Sequence, residues 1–200
     1  MKTYVISRAD GAPDWGAAPV LNLENCPWLP NPGVAASAQL AWNDEALLVH
    51  LRARESEIRA EHTEPLGMVC EDSCLELFFR PDTADERYFN FEANPNGRMY
   101  IGINYSRARN SRQAPDGEDA LFAKNARRCE GGWEIFYRIP WDFVRLFFPG
   151  YAPFSGRELR ANCFKCGDLT PHPHYLSWNP CTSETPDFHR PCDFGRMILA

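Results

Sequence analysis

The fold of this chain is decided by residues 73–105, which read SCLELFFRPDTADERYFNFEANPNGRMYIGINY. Leu75, Leu77 and Phe79 alternate with residues of the opposite face, and the same two-residue period returns at Phe89 and Phe91. This period is typical of β-strands, whose successive side chains point to opposite faces of a sheet. The Asn-Gly pair at 96–97 favours a tight turn, because both residues tolerate positive φ. The stretch therefore predicts three strands, the last two joined as a hairpin.

Further segments with strand character follow the same logic and are separated by turn residues. They lie at 34–42, 46–54, 133–139, 157–166, 174–178 and 194–199. Only 140–148 has helical spacing, with Pro140 in its first turn. No linker, repeat or low-complexity tract interrupts the pattern. The sequence thus predicts one all-β sandwich domain over residues 1–200 with a single short helix.

Composition and charge restrict the classes of partner. Hydrophobic residues make up 44% of the chain, enough for a sizeable core, and the net charge of −6 is not clustered. We expect no nucleic-acid or membrane partner, since both favour a basic face. The N-terminus has an apolar stretch of three residues, well short of the roughly 7–15 of a secretory signal. No apolar run approaches the roughly 20 residues of a membrane span. The expectation is a soluble, cytoplasmic monomer.

The cysteines and histidines offer weak metal motifs. The eight cysteines are expected to be mostly free and buried, because a chain of this length folds without disulfides. Cys163 and Cys166 have a zinc-like spacing, but no second pair completes four ligands. His172, His174 and His189 are a second possible metal set, although loop histidines more often only form hydrogen bonds. No catalytic motif of the common hydrolases or nucleotide-binding enzymes is present in the sequence.

Polar residues accumulate on one face of the predicted hairpin. Arg107 and Arg109 follow it, so that a polar sheet face flanked by aromatic rings is expected. The members of this face are Tyr88, Asn90, Glu92, Asn104 and Glu76. Aromatic rings stack on the apolar faces of sugars, while amide, carboxylate and guanidinium groups bind their hydroxyls. The pattern indicates carbohydrate binding, and an ordinary solvated face is the alternative.

Four segments in order resemble the family 9-like carbohydrate-binding modules, which are known as attachments of xylanases. The segments are AWNDEAL at 41–47, EDSCLE at 71–76, YFNFEAN at 88–94 with Gly97, and PDFHRP at 186–191 leading to Phe194-Gly195. Gly132-Trp133-Glu134 and residues 162–168 fit between them, so that the resemblance spans nearly the whole chain.

The resemblance implies a jelly-roll-like antiparallel β-sandwich that binds glycans without catalysis. Sugar-binding members clamp the terminal sugar between two tryptophans; the late one corresponds to Trp178, whereas the first falls at Val69 or Cys70, so that half of the clamp is missing. No cofactor is required, but a structural calcium ion is implied. Its candidate oxygen ligands are Asp10, Asp14, Asp44 and Asp72.

The leading hypothesis is non-catalytic binding of a terminal sugar or oligosaccharide of a polysaccharide, in carbohydrate catabolism. The predicted ligand-binding residues are Trp178, Glu76, Asn162, Arg109, Arg107 and Asn104. Two alternatives stay open. One is a small glycoside hydrolase in which Glu76 and Glu92 form the carboxylate pair. The other is a protein-interaction or scaffold domain that has lost sugar binding.

Overall fold

A computed structural model describes residues 1–115 and 117–200. The strands are β1 (Thr3–Arg8), β2 (Leu21–Asn22), β3 (Ala35–Trp42), β4 (Ala46–Arg54), β5 (Cys74–Arg80), β6 (Tyr88–Ala93), β7 (Met99–Ser106), β8 (Arg109–Gln113), β9 (Asn125–Cys129), β10 (Gly132–Pro140), β11 (Glu158–Cys166), β12 (Tyr175–Ser177) and β13 (Gly195–Leu199). The helices are α1 (Glu118–Phe122) and α2 (Trp141–Phe147), with short 3-10 turns at Val69–Glu71 and Pro191–Asp193. In the described ranges, no helix is both long and apolar enough to cross a membrane.

The strands form one curled path in the order β8-β7-β6-β5-β11-β13-β1-β3-β4-β10-β9, with β12 on β11 and β2 on β3. Most neighbours are antiparallel, but β1 pairs in parallel with both β13 and β3. Residues 3–6 of β1 lie beside β13, whereas residues 7–8 lie beside β3. This one strand therefore joins the two sheets of the predicted sandwich.

The core lies between the two sheets and consists of inward side chains from both. The sheet containing β5 and β6 contributes Leu77 and Phe91, and the sheet containing β4 and β10 contributes Val49 and Ile135; none of the four has exposed surface. In both sheets the apolar side chains that alternate along each strand thus face inward. Their burial is the main source of stability in such a sandwich.

A buried ionic network joins the sheets within this core. Lys165 of β11 lies with its Nζ 3.1 Å from Glu55 Oε2, and neither side chain has more than 1% exposed surface. Lys165 Nζ is also 2.7 Å from His174 Nε2, and Trp133 Nε1 donates to Glu55 Oε1 at 2.7 Å. A buried charge is tolerated only with such partners. This network therefore favours the one packing of the two sheets that brings Lys165 to Glu55.

The outer face of the β5–β6–β11 region is covered by loops instead of being open to water. A second apolar cluster lies there, formed by Phe78, Tyr88, Phe164, Phe188 and Phe194 with partly buried neighbours. All side chains of β6 are buried, on both faces. The predicted polar face, to which Glu76 and Glu92 belong, is therefore partly covered by these loops.

Every predicted strand is confirmed to within a few residues, and the Asn-Gly turn is present, with a φ of 74° at Gly97. The prediction of a single helix is wrong, because α1 is a second one. Sequence reasoning also missed β1, β2, β8 and β9. β8 and β9 occupy the two ends of the strand path, where mostly exposed side chains give no strong apolar alternation.

Candidate functional site

A cavity of about 280 Å³ opens on the outer face of the β5–β6–β7–β11 sheet. Strands form the floor of the cavity. Two loops that are far apart in the sequence, one near residue 28 and one at 186–189, form its sides. The lining residues are Trp28, Met68, Cys70, Glu76, Phe78, Glu92, Tyr100, Arg107, Asn110, Cys166, Asp168, Tyr175, Pro186, Asp187, Phe188 and His189. The sheet supplies the carboxyl groups of Glu76 and Glu92 together with the rings of Phe78, Tyr100 and Tyr175, and the loops add the rings of Trp28 and Phe188.

The floor is set by strand register. Glu76 of β5 pairs directly with Glu92 of β6, which pairs in turn with Tyr100 of β7. Directly opposite residues project from the same face of an antiparallel sheet, so these three side chains point together into the cavity. Asn90 lies two residues before Glu92 on that face and donates a hydrogen bond of 2.6 Å to Glu92 Oε1.

The two floor carboxyl groups hold protons more tightly than usual. Burial, followed by the neighbouring charge of Glu92, raises the pKa of Glu76 well above its ordinary value. Burial raises the pKa of Glu92 to about 7, and burial also raises the pKa of Asp168 at the cavity wall. Across residues 1–115 and 117–200, no Lys or Arg forms an ion pair with any of the three. The floor can therefore both donate and accept hydrogen bonds near neutral pH.

Trp28 forms an aromatic wall together with the late loop. Its ring centroid lies 5.4 Å from Phe188 and 5.6 Å from Tyr175. The indole Nε1 donates to the backbone oxygen of Ser183 at 2.8 Å, which fixes the ring. Phe188 stacks in turn on Phe164 of β11, with ring centroids 4.1 Å apart. The half-buried indole is thus held in place before any ligand binds.

The opposite rim is formed by the segment that precedes β5. Exposed Met68 lines the cavity there, and Leu66 has a φ of 65°, which is unusual for a branched residue. The Arg112 guanidinium supports this segment by donating to Gly67 O at 3.0 Å, while it lies 4.1 Å over the Tyr100 ring. Met68 thus lines the cavity from the side of β7 and β8, whereas Trp28 lines it from the side of β12.

Charged and imidazole groups complete the edge. Arg107 Nε lies 3.0 Å from Asp187 Oδ1, in an exposed ion pair at the mouth. Tyr88 and His189 Nδ1 are 3.0 Å apart, at hydrogen-bonding distance. Burial and the charge of Arg107 lower the pKa of His189 to about 4, so that its imidazole is neutral at pH 7.

A family description for carbohydrate-binding family 9 matches residues 12–199. This chain belongs to that family. No curated protein sequence matches it. The family 9 domain is similar over 100% of its length, and 99% of the other chain, to a proposed carbohydrate-binding protein from Bacteroides uniformis, with 27% identity and a TM-score of 0.85.

Two solved structures of family 9 modules from Caldicellulosiruptor kristjanssonii share the fold. One, in complex with cellotriose, has 13% identity, a TM-score of 0.72 and coverage of 99% of this chain and 93% of the other. The second, in complex with glucose, has 15% identity, a TM-score of 0.68 and coverage of 100% and 96%. The predicted resemblance and the predicted sandwich are both confirmed.

Of the six ligand-binding residues predicted from the sequence of this family 9 domain, Glu76 and Arg107 line the cavity. Asn162 is fully buried, and its amide donates to Asn179 O at 3.0 Å and accepts from Asn179 N at 2.9 Å, so that it holds a loop. Asn104 is also buried, and its amide donates to Asn90 Oδ1. Arg109 is exposed on β8 and covers the Tyr105 ring.

Trp178, which the sequence analysis expects to be the ligand platform, also lies outside the cavity. Its side chain is 5% exposed and belongs to the core between the sheets. The ring lies edge-on to Tyr4 and so close to Gly195 that a Cβ there would collide with it. A ring enclosed in this way has no free face on which a sugar could stack.

Trp28, Tyr100, Tyr175 and Asp168 line the cavity without having been predicted as ligand-binding residues. For Trp28 a signal exists in the sequence, because an indole in a proline-rich loop (27–32) is held stiffly at the surface. The others carry no such signal. Their position depends on which loops close over the outer face of the sheet.

The weak zinc-like motif of Cys163 and Cys166 does not form one site, because the two side chains point to opposite faces of β11. Cys163 lies in the core between the sheets, and Cys166 lies in the outer cluster. The histidines are dispersed as well: His174 contacts Lys165, whereas His189 contacts Tyr88. All eight cysteines are free, but the expectation that they are mostly buried is wrong, because only Cys74, Cys163 and Cys166 are.

The four expected calcium ligands do not fit a calcium ion. Both carboxylate oxygens of Asp44 are engaged by Arg8, at 3.0 and 2.6 Å, and Arg8 also lies 3.6 Å from Asp10. Asp72 is fully buried and accepts hydrogen bonds from the backbone amides of Glu61 and His62 in the preceding loop. Asp14 accepts from the amide of Gly16. A divalent cation requires several free oxygens around one point, and among the described residues no three of these carboxylates gather in that way.

Proposed function

We propose that this family 9 domain binds a terminal sugar in the cavity between Trp28 and Met68. The observation that supports the proposal is the combination of a polar floor, Glu76 with Glu92, and a fixed aromatic wall on a single cavity. A pyranose presents apolar C–H faces, which stack on aromatic rings, and a rim of hydroxyls, which form hydrogen bonds with polar groups. The aromatic wall and the polar floor provide these two kinds of contact.

The size of the cavity favours one ring over several. Pockets that enclose drug-sized ligands have volumes of roughly 300–1,000 Å³, and this cavity, at about 280 Å³, lies just below that range. One sugar residue fits inside it. The remainder of an oligosaccharide would extend past Arg107 and Asn110 at the mouth into solvent.

The protonation of the floor determines what it offers to the ligand. A carboxyl group that retains its proton donates one hydrogen bond and accepts another, which matches the double role of a hydroxyl group. The raised pKa values of Glu76 and Glu92 therefore suit a neutral ligand such as a sugar. Trp28 and Phe188, already fixed by packing, lower the entropic cost of binding.

Glucose and cello-oligosaccharides are the first ligands to test, because the two family 9 modules from Caldicellulosiruptor kristjanssonii are described in complex with glucose and cellotriose. Xylan-derived oligosaccharides form the second panel. We propose on this basis a role in recognising polysaccharide ends during carbohydrate catabolism.

The arrangement of Glu76 and Glu92 favours binding over hydrolysis. A glycosidase places its two carboxyl groups on either side of the scissile bond. Here the two carboxyl groups project side by side from adjacent strands at directly paired positions. A sugar on this floor would meet both groups from the same side.

The test is calorimetric titration of the protein with glucose and cellotriose. We expect saturable binding of both, with loss of affinity in Trp28→Ala. Trp15→Ala is the matched control, because Trp15 is also half-buried but packs on His50 and Phe136 of the other sheet. Equal affinities for the wild type and Trp28→Ala would contradict the proposed site, and no binding across both panels at millimolar concentration would contradict the function.

A further inference from the structure

Two cysteines and a glutamate meet at the floor beneath the cavity. One ligand atom from each of Cys74, Glu76 and Cys166 lies within 4.8 Å of the other two, and all three residues are buried. Cys74 and Cys166 occupy directly paired positions of β5 and β11. Glu76 follows two residues after Cys74 on the same face, and its Oε1 lies 3.0 Å from Cys166 Sγ.

This set of donor atoms matches a particular class of ion. Thiolates are soft ligands that select zinc and related metals over magnesium or calcium, which prefer oxygen. Two sulfur ligands at about 2.3 Å from a tetrahedral ion lie about 3.8 Å apart, and the present group is close enough to contract around such an ion. Three protein ligands leave a fourth position for water or another ligand, as in open zinc sites.

The surroundings provide both a route of entry and a charge that a cation would offset. Cys166 and Glu76 line the cavity, so the fourth position would face its open space. Asp168 and Glu92 line the same space, and in the described part of the chain neither of them, nor Glu76, is paired with Lys or Arg. A divalent cation would bring positive charge to a part of the cavity where carboxyl and thiol groups gather, whereas Arg107, which lines the same cavity, is held by Asp187.

We propose that Cys74, Cys166 and Glu76 form a binding site for a thiophilic divalent cation of the zinc class, with its open position facing the cavity. Both thiols and the Glu76 carboxyl group must lose their protons to buffer as the two metal–sulfur bonds and the metal–oxygen bond form. The binding of the metal does not depend on a sugar being present.

Cobalt titration is the direct test. The chelator-treated, reduced protein is titrated with Co²⁺, and a thiolate-to-cobalt charge-transfer band that saturates at one equivalent is expected. Zn²⁺ added afterwards should abolish the band, because Zn²⁺ binds such sites more tightly. Absence of the band, together with failure of Zn²⁺ to compete with a chromophoric chelator, would overturn the proposal.

The matched variants are Cys166→Ser and Cys163→Ala. Both cysteines are buried on β11, but Cys163 faces the core and does not belong to the cluster. Loss of a residue that only hydrogen-bonds to a metal ligand typically weakens metal binding by about 10–100-fold. Cys166→Ser removes a ligand itself, so we expect its metal affinity to fall by at least that factor. Cys163→Ala should bind as the wild type does. Equal affinity for all three proteins would place the metal elsewhere and overturn the assignment.

Alkylation of the wild-type protein gives a result that does not depend on variants folding. With limiting alkylating reagent and mild denaturant, Zn²⁺ should slow modification of Cys74 and Cys166 but not of exposed Cys192. Peptide mass spectrometry measures each site separately. Protection of none, or of all three equally, would contradict the proposal.

Sugar titrations with and without Zn²⁺ separate this inference from the proposed function. Sugar binding in chelator without any metal binding would refute the metal site alone. Metal binding without sugar binding would refute the carbohydrate site alone.

Discussion

Replacement of Trp28 by alanine is the sharpest test of the site, because it removes one wall of the cavity without touching the floor. If a sugar ring covers about 60 Å² of the indole, the lost burial is worth about 1.5 kcal/mol at ~25 cal/mol per Å². Loss of ring stacking adds about 0.5–1.5 kcal/mol. The sum of about 2–3 kcal/mol corresponds to a roughly 30–150-fold weaker affinity for glucose or cellotriose.

The cost to folding should be smaller than the cost of removing a core tryptophan. Trp28 is half-buried and contacts mainly Phe188 and Tyr175, so its truncation should cost about 1–2 kcal/mol of unfolding free energy. Trp178→Ala removes an enclosed ring from the core and should cost about 3–5 kcal/mol. The affinity of the folded fraction of Trp178→Ala should be close to that of the wild type.

Calorimetric titration measures the two affinities, and urea denaturation measures the two stabilities. The reasoning predicts opposite rankings of the variants in the two assays. If Trp178→Ala loses affinity while remaining stable and Trp28→Ala binds normally, the assignment of the aromatic wall to Trp28 is wrong and Trp178 is the ligand platform.

Three further outcomes follow from buried polar groups. Lys165→Met leaves the buried carboxylate of Glu55 without its ion-pair partner and should lower the unfolding free energy by about 3–5 kcal/mol; a loss below about 1 kcal/mol in urea denaturation would contradict the structural role. Asn162→Ala removes the acceptor of the buried Asn179 amide and should cost about 1–3 kcal/mol of stability; unchanged stability with weakened sugar binding would restore Asn162 as a ligand-binding residue. The folded-state pKa of His189 is lowered from 6.5 to about 4, so the unfolded chain binds the extra proton between these values, and stability should fall as pH drops from 6.5 toward 4. His189→Asn should flatten that slope in denaturation curves at stepped pH, and an unaltered slope would show that other groups cause it.

Local patterns were sufficient for much of the fold. The alternation in 73–105 predicted β5, β6 and β7, since the apolar half of a strand's period shows directly in the sequence. The same alternation placed Glu76 and Glu92 together on one face. Segments with weak alternation, such as β9, were missed because an exposed end strand needs few apolar residues.

What the sequence by itself determined was the period of each strand, and hence which side chains share a face. Only the tertiary structure decided what covers each face. Trp28 and Trp178 are both tryptophans in loops or short strands beside prolines, yet the first lines the cavity and the second is buried between the sheets. Cys74 and Cys166 are 92 positions apart and meet only through the pairing of β5 with β11. The physical reason is that side-chain direction follows from local backbone geometry, whereas burial depends on contacts between distant segments.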